Sequence, residues 1–299
     1  MSMNLDSYLK AGKVASDVRE AARRKNHIGS SLLEICQNVE SQIKERNAAP
    51  AFPVNVSLNE IAAHYTAEPN DPTLVKEGDV LKIDIGVHVD GYIADTAVTV
   101  CYEPKYDPLI RAAEAALGEA VRMARANTKA GDIGKTIEST ITKYGFKPIQ
   151  NLSGHSLQQY TVHAGKSIPN IWTRGSSLSL IANEAYAIEP FVTTREGQGV
   201  VYEGKVRNIF GISSRKPIKD KEADDMLEMI WNRYRTLPFA LRWLMDKYDE
   251  KEGRRILEIL VKKKNVHAYP ILVEGQGKTV VQAEHTIIPS ESGTTVITI

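Results

Sequence analysis

The chain has 299 residues, with 38 Lys and Arg against 37 Asp and Glu, a formal net charge of +1, 42% hydrophobic and 25% charged residues. This is a globular balance, long enough for one large domain or two ordinary ones, and it gives no bulk electrostatic reason to bind nucleic acid or an acidic membrane. Cys36 and Cys101 are the two cysteines, which excludes a disulfide framework or a Cys-type zinc site. No apolar run approaches the ~18 residues of a membrane span, and the opening MSMNLDSYLK lacks the apolar core of a signal peptide, so a cytoplasmic protein is expected.

Residues 5–24 have the spacing of an amphipathic helix, with Leu5, Leu9, Val14 and Val18 on the predicted buried face. A second helix is expected from Ser30 or Ser31. Ser31 and Glu34 fit a capping box, and Leu32, Ile35, Val39 and Ile43 supply its apolar stripe. Pro50 and Pro53 mark residues 48–58 as a loop. Residues 80–100 are a β-hairpin, with β-branched residues in both arms and Asp90-Gly91 as the turn.

Two further helices follow. One opens at Asp107-Pro108, and the other is expected to be capped by Asp132 and to end at Gly145. A shift of 102 residues lays Arg23 on Arg125, Gly29 on Gly131, Ser30 on Asp132, Ile35 on Ile137 and Val39 on Ile141. Either the chain repeats itself and folds as two similar halves with a site between them, or two amphipathic helix pairs merely align.

Strands are expected at 186–192 and 199–203, helices over 217–262 with the last near 254–263, and strands at 268–273, 279–287 and 294–299. A helical block thus interrupts a β-rich region, and it reads as an insertion subdomain. Between Lys205 and Lys264 there are 16 Lys and Arg against 10 Asp and Glu. That excess fits a solvated surface, or more weakly a docking face for ribosomal RNA.

The carboxylates of the hairpin carry the chemistry. Asp84 lies between Ile83 and Ile85 in a strand that should be buried, where an ionised carboxylate needs a compensating charge. A two-residue turn at Asp90-Gly91 sets Asp95 opposite Gly86, which shares a face with Asp84. The two aspartates are then diagonal neighbours, roughly 7–8 Å apart at the backbone. Gly86 leaves the space between them open. Two readings follow: a cation sits between the aspartates, or one aspartate belongs to a turn and the other is solvated. His155 follows Gly154, Glu189 sits in an apolar strand (Tyr-Ala-Ile-Glu-Pro-Phe), and Glu284 sits in another (Val-Val-Gln-Ala-Glu-His). Four carboxylates and one imidazole form a hard ligand set suited to two divalent ions such as Mn, Fe(II), Co or Zn, which can clamp a hydroxide and a carbonyl oxygen.

Asp84, Asp95, His155, Glu189 and Glu284, in this order and context, resemble the ligand set of the methionine aminopeptidase, aminopeptidase P and prolidase group. The segment Phe52-Pro-Val-Asn-Val-Ser-Leu-Asn-Glu-Ile-Ala-Ala-His64-Tyr, the Ser153-Gly-His155 to His163 spacing and the helical insertion are similar to the archaeal kind of type 2 methionine aminopeptidases. The resemblance implies an α+β pita-bread fold with two pseudo-symmetric halves. The catalytic domain would span 1–195 and 269–299, and a mainly helical insertion subdomain 196–268. It implies removal of the initiator methionine from nascent polypeptides by a monomeric cytoplasmic enzyme, with a small second residue preferred, no membrane or specific nucleic-acid partner, and possible ribosome association. Asp84 would chelate one metal, Asp95 and Glu284 would bridge two, and His155 and Glu189 would complete the other site. Glu189 would shuttle the proton, His163 would stabilise the tetrahedral intermediate, and His64 would contact substrate from the opposite lip. Phe52 and Pro53 would wall an apolar methionine pocket. Two rivals are an X-Pro peptidase on the same fold and a non-catalytic binding homologue that has lost its ligands.

Overall fold

Val80–Val89 and Tyr92–Cys101 pair antiparallel through a two-residue turn at Asp90-Gly91, with Gly86 opposite Asp95 and Asp84 opposite Ala97, the register expected from sequence. Asp90 and Gly91 both have positive φ, 53° and 84°, the turn that matches the natural twist of a hairpin. A computed structural model describes residues 4–173 and 178–299.

The expected loop at 48–58 is largely sheet. Ala49–Pro50 and Asn55–Leu58 both pair with Val80–Val89. The prolines fall at a strand end and between the two short strands, where no ladder N–H is needed.

The first helix, α1 (Leu5–Arg24), lies across this hairpin, but its buried face differs from the expected one. Tyr8, Ala11, Ala15, Val18 and Ala22 are buried, whereas Leu5 and Leu9 are 42% and 41% exposed. Small side chains let the helix sit close on the sheet, and the leucines flank that contact. α2 (Leu32–Glu45) begins with the capping box of Ser31 and Glu34. Both helices and the hairpin share one apolar cluster.

α3 (Asp107–Met123) and α4 (Ala130–Lys143) cover a second sheet, in which His285–Pro289, Ala185–Ile188 and Ser153–Leu157 are adjacent. These elements share a separate cluster that includes Leu109, Ile133, Ile137, Tyr186 and Ile188. Asp132 does not cap α4. The cap is Lys129, and Asp132 lies in the first turn. The helix pairs do repeat, but not at one shift. α1 and α3 begin 107 − 5 = 102 residues apart, while α2 and α4 begin 130 − 32 = 98 apart. A slip of four keeps the same helix face, so the apolar stripe matches at either spacing. The chain therefore forms two related α/β halves, which meet where Ala97 bridges Glu284.

Several expected strands are broken at informative places. The 186–192 strand is two, Ala185–Ile188 and Phe191–Thr193, interrupted at Glu189-Pro190. The 268–273 strand splits at Pro270, and the 279–287 strand splits at Ala283-Glu284. In both prolyl breaks the ring removes a ladder donor. The segment 217–262 holds α5 (Lys221–Tyr234), a 3-10 turn at Leu241–Leu244, and α6 (Glu250–Lys262), which starts earlier than expected because Asp249 caps it. These elements bury a cluster of their own, including Met226, Ile230, Phe239, Ile256 and Leu260. A strand at Ile209–Ile212, paired with Val266–Tyr269, was not anticipated. Among the described residues, no helix is long and apolar enough to cross a membrane.

Candidate metal centre

Each candidate ligand stands on the inner edge of the two sheets. Asp84 and Asp95 project from the hairpin, and His155 from Ser153–Leu157. Glu189 follows one residue after Ala185–Ile188, and Glu284 precedes His285–Pro289 by one. The two glutamates therefore sit at strand breaks rather than inside strands, where the backbone is free to turn them inward.

All five line one cavity of about 210 Å³. The ligand atoms of Asp95, His155 and Glu284 lie within 4.8 Å of one another. His155 Nε2 is 3.7 Å from Asp95 Oδ2 and 3.6 Å from Glu189 Oε1. Asp84 and Asp95 are near enough for each carboxyl to affect the ionisation of the other. Gln282, which the sequence did not single out, donates from Nε2 to Glu189 Oε2 and to Glu284 Oε2, each at 3.3 Å. Its alternation with Glu284 places both side chains on one face, and that spacing was the available signal.

Burial dominates the electrostatics. It raises the Asp84 carboxyl to about 7. Asp95, Glu189 and Glu284 are pushed well above the usual carboxylate range, first by burial and then by the charge of neighbouring carboxylates, Asp84 acting on all three. His155 falls to about 3, through burial and the neighbouring His163, and so stays neutral and able to ligate. Among the described residues no Lys or Arg lines the cavity. Lys82, two positions from Asp84, directs its Nζ to the carbonyls of Asn59 and Val280 instead.

The donor set fits a divalent cation. Asp84 Oδ1 and Asp95 Oδ1 are buried without a hydrogen-bond partner, a costly state for carboxylate oxygens unless a cation or proton satisfies them. Oxygen-rich sites with one imidazole suit hard or borderline divalent ions.

The cavity also has apolar lining, from Phe52, Ala63, Phe191 and Leu272 among others. Pro53 is buried but does not line it. Its carbonyl accepts from Asn55 Nδ2. The space over Gly86 is not open, as the hairpin alone suggested. The Phe52 ring fills it, with Cε1 2.2 Å from where a Cβ would stand. Ile209 and Pro238, from the segment 196–268, and Tyr269, directly after it, line the same cavity, and their sequence context carried no signal of this.

His64 and His163 both line the cavity. His64 holds φ at +66°, an uncommon conformation for a residue other than glycine and one that recurs at functional sites. Burial lowers its pKa to about 4. The Pro270 carbonyl, 3.3 Å from His64 Nδ1, can only accept, so Nδ1 carries the proton and Nε2 the free lone pair. The His163 ring stacks at a tilt 4.4 Å from that of His155. It faces the open cavity, yet enough protein surrounds it to hold its pKa below the ordinary value.

A sequence profile described as metallopeptidase family M24 matches residues 6–208. The chain is 46% identical over 296 residues to a methionine aminopeptidase of Pyrococcus horikoshii, covering 99% of this chain and 100% of that protein. It is 42% identical over 299 residues to the methionine aminopeptidase of Methanocaldococcus jannaschii, covering 99% and 100%. Among solved structures, a methionine aminopeptidase from Thermotoga maritima shares the fold with a TM-score of 0.70 at 22% identity, covering 98% of this chain and 96% of that one.

Proposed function

This chain belongs to metallopeptidase family M24, and from that premise we propose that its cavity removes the N-terminal methionine of other polypeptides, the activity for which its full-length relatives are named. The enzyme is a metalloexopeptidase that uses divalent metal. The observation that carries the reading is one cavity lined both by five metal-ligand candidates and by apolar side chains.

The finer assignment is two cations, drawn from Mn, Fe(II), Co or Zn. Asp84 would hold one and His155 with Glu189 the other, while Asp95 and Glu284 would serve both. Four carboxylates oblige more positive charge than one ion supplies, which supports the pair. When bound, the cations supply electrophilic chemistry by activating water and polarising the scissile carbonyl.

The chain's own groups do the rest. Glu189, whose Oε1 lies 3.6 Å from His155 Nε2 in the cavity, takes a proton from the attacking water and returns it to the leaving amine. Gln282 fixes the Glu189 carboxyl through Oε2, leaving Oε1 toward the centre. His163 donates to the oxygen on which charge develops. His64 accepts a substrate N–H at Nε2. Phe52 and Phe191 bury the methionine side chain, whose flexible thioether tolerates such walls. Residues 196–268 would form the type 2 insertion subdomain. Contact with ribosomal RNA has in its favour the excess of 16 basic over 10 acidic residues between Lys205 and Lys264.

Parallel hydrolysis of Met-Ala-Ser, Met-Leu-Ser and an Xaa-Pro peptide tests the reading. Met-Ala-Ser should be the best substrate, as expected for a site that prefers a small second residue. Faster release from Xaa-Pro would instead identify an X-Pro peptidase, and no turnover with any added divalent metal would favour a non-catalytic homologue.

A further inference from the structure

Behind the cavity, the two segments carrying Asp95 and Glu284 are tied together by threonines. Thr286 Oγ1 accepts from Asp95 N and donates to Asp95 O, each at 2.7 Å. Thr96 Oγ1 donates to Glu284 O at 2.8 Å. These bonds fix the spacing of the two backbones from which the bridging candidates project.

The threonines are anchored in turn by one buried guanidinium. Arg19, from α1, is 7% exposed. Its Nη1 donates to Thr96 Oγ1 and to Thr298 O, each at 2.7 Å, and lies 3.1 Å from His285 Nδ1. Thr298 Oγ1 lies 2.9 Å from that nitrogen and accepts from Thr286 N at 3.1 Å. Glu20 neutralises the guanidinium at 3.1 Å. One side chain of α1 thus reaches the Glu284 backbone through Thr96, and the Asp95 backbone through Thr298 and Thr286.

We infer that Arg19 is a positioning residue for the metal centre: through Thr96 and Thr298 it holds Asp95 and Glu284 at the separation that binding divalent cations requires. A buried arginine is costly to keep when an apolar side chain would fill the space, and its hydrogen bonds converge on the two segments that carry these carboxylates. Outer partners of metal ligands act in this way, and their loss weakens metal binding by about 10–100-fold.

The inference rests on the metal-centre reading above, so the test separates the two. Mn(II) is titrated calorimetrically into the full chain stripped of metal by chelation, for wild type, Arg19→Met, Thr298→Val and Val39→Ala. Val39 is buried in the core with α2 and takes no part in these bonds, so its variant controls for lost stability. Arg19→Met is expected to bind Mn(II) about 10–100-fold more weakly. Thr298→Val should shift affinity in the same direction by a smaller factor, and Val39→Ala should retain wild-type affinity despite a lower thermal midpoint. Should Arg19→Met fail to fold, Thr298→Val, which exchanges a hydroxyl for a methyl and so cuts the link from Thr298 to Thr286 N, decides the question. Mn(II) affinity unchanged in both network variants, or lost equally in Val39→Ala, overturns the role of Arg19. Wild type that takes up no Mn(II) overturns the metal-centre reading itself.

Discussion

Phe52 occupies the volume that a side chain at position 86 would need: its ring carbon Cε1 is 2.2 Å from the Cβ that Gly86 lacks. The strand that carries Asp84 therefore also shapes the apolar wall, because the glycine opposite Asp95 admits the ring.

Gly86→Ala should push Phe52 out of its seat. Phe52 is 7% exposed, so the ring has little room to retreat. Overpacking of this kind costs about 1–3 kcal/mol, readable in urea unfolding, and KM for Met-Ala-Ser should rise more than kcat falls. Unchanged stability together with unchanged KM would mean that the ring is easily displaced and is not a wall.

Gly154→Ala should be worse. The added Cβ would meet the backbone oxygen of Ala187 at 2.3 Å, and backbone cannot rotate away. His155 follows directly, and its strand pairs with Ala185–Ile188. We expect loss of soluble folded protein or a destabilisation beyond about 3 kcal/mol, measured by circular dichroism. A variant as stable as wild type would show that this strand pair separates at little cost.

Glu189→Gln keeps the shape of the side chain and removes its proton chemistry. Turnover of Met-Ala-Ser should fall about 10²–10⁴-fold, the usual contribution of a positioned acid–base group, with no loss in the thermal midpoint of the metal-free protein. Activity within tenfold of wild type would take Glu189 out of the proton path.

The buried carboxylates make stability depend on pH in a direction set by metal. Asp84 is raised from 3.8 to about 7 by burial, so the metal-free fold binds a proton that the unfolded chain releases. Its contribution is intact below the unfolded value and is lost as pH rises through the folded one. Metal-free protein should therefore lose thermal midpoint between about pH 4 and about pH 7, and Asp84→Asn should lose less. Bound cations hold the carboxylates ionised, so metal affinity should rise over the same interval with release of protons. Melts with and without chelator check both signs. A metal-free midpoint that rises with pH by the same amount in wild type and Asp84→Asn would contradict this account of Asp84.

Local physics made part of this molecule readable. The Asp90-Gly91 turn sets a register of period two, so the diagonal relation of Asp84 and Asp95 followed from their spacing. The capping box at Ser31 located α2 for the same reason, since both partners lie within one helical turn. Other features depended on contacts distant in sequence. Leu5 and Leu9 had the right period for burial, but closeness to the hairpin selected Tyr8, Ala11 and Ala15 instead. A slip of four residues is invisible to a period of 3.6, so the single shift of 102 missed that α2 and α4 align at 98. Glu189 and Glu284 lie at breaks between strands, and only sheet pairing reveals where a ladder stops.

The sequence by itself determined the hairpin, the helix pairs and the acidic residues that are too costly to bury alone, because each depends on neighbours a few residues apart. Tertiary structure alone decided that Phe52 fills the space over Gly86, that Pro238 and Tyr269 close the cavity, and that Arg19 reaches 279 residues along the chain to Thr298. No local preference encodes such contacts. They exist because two sheets and their helices exclude water together, and whichever polar groups meet in that space must satisfy one another.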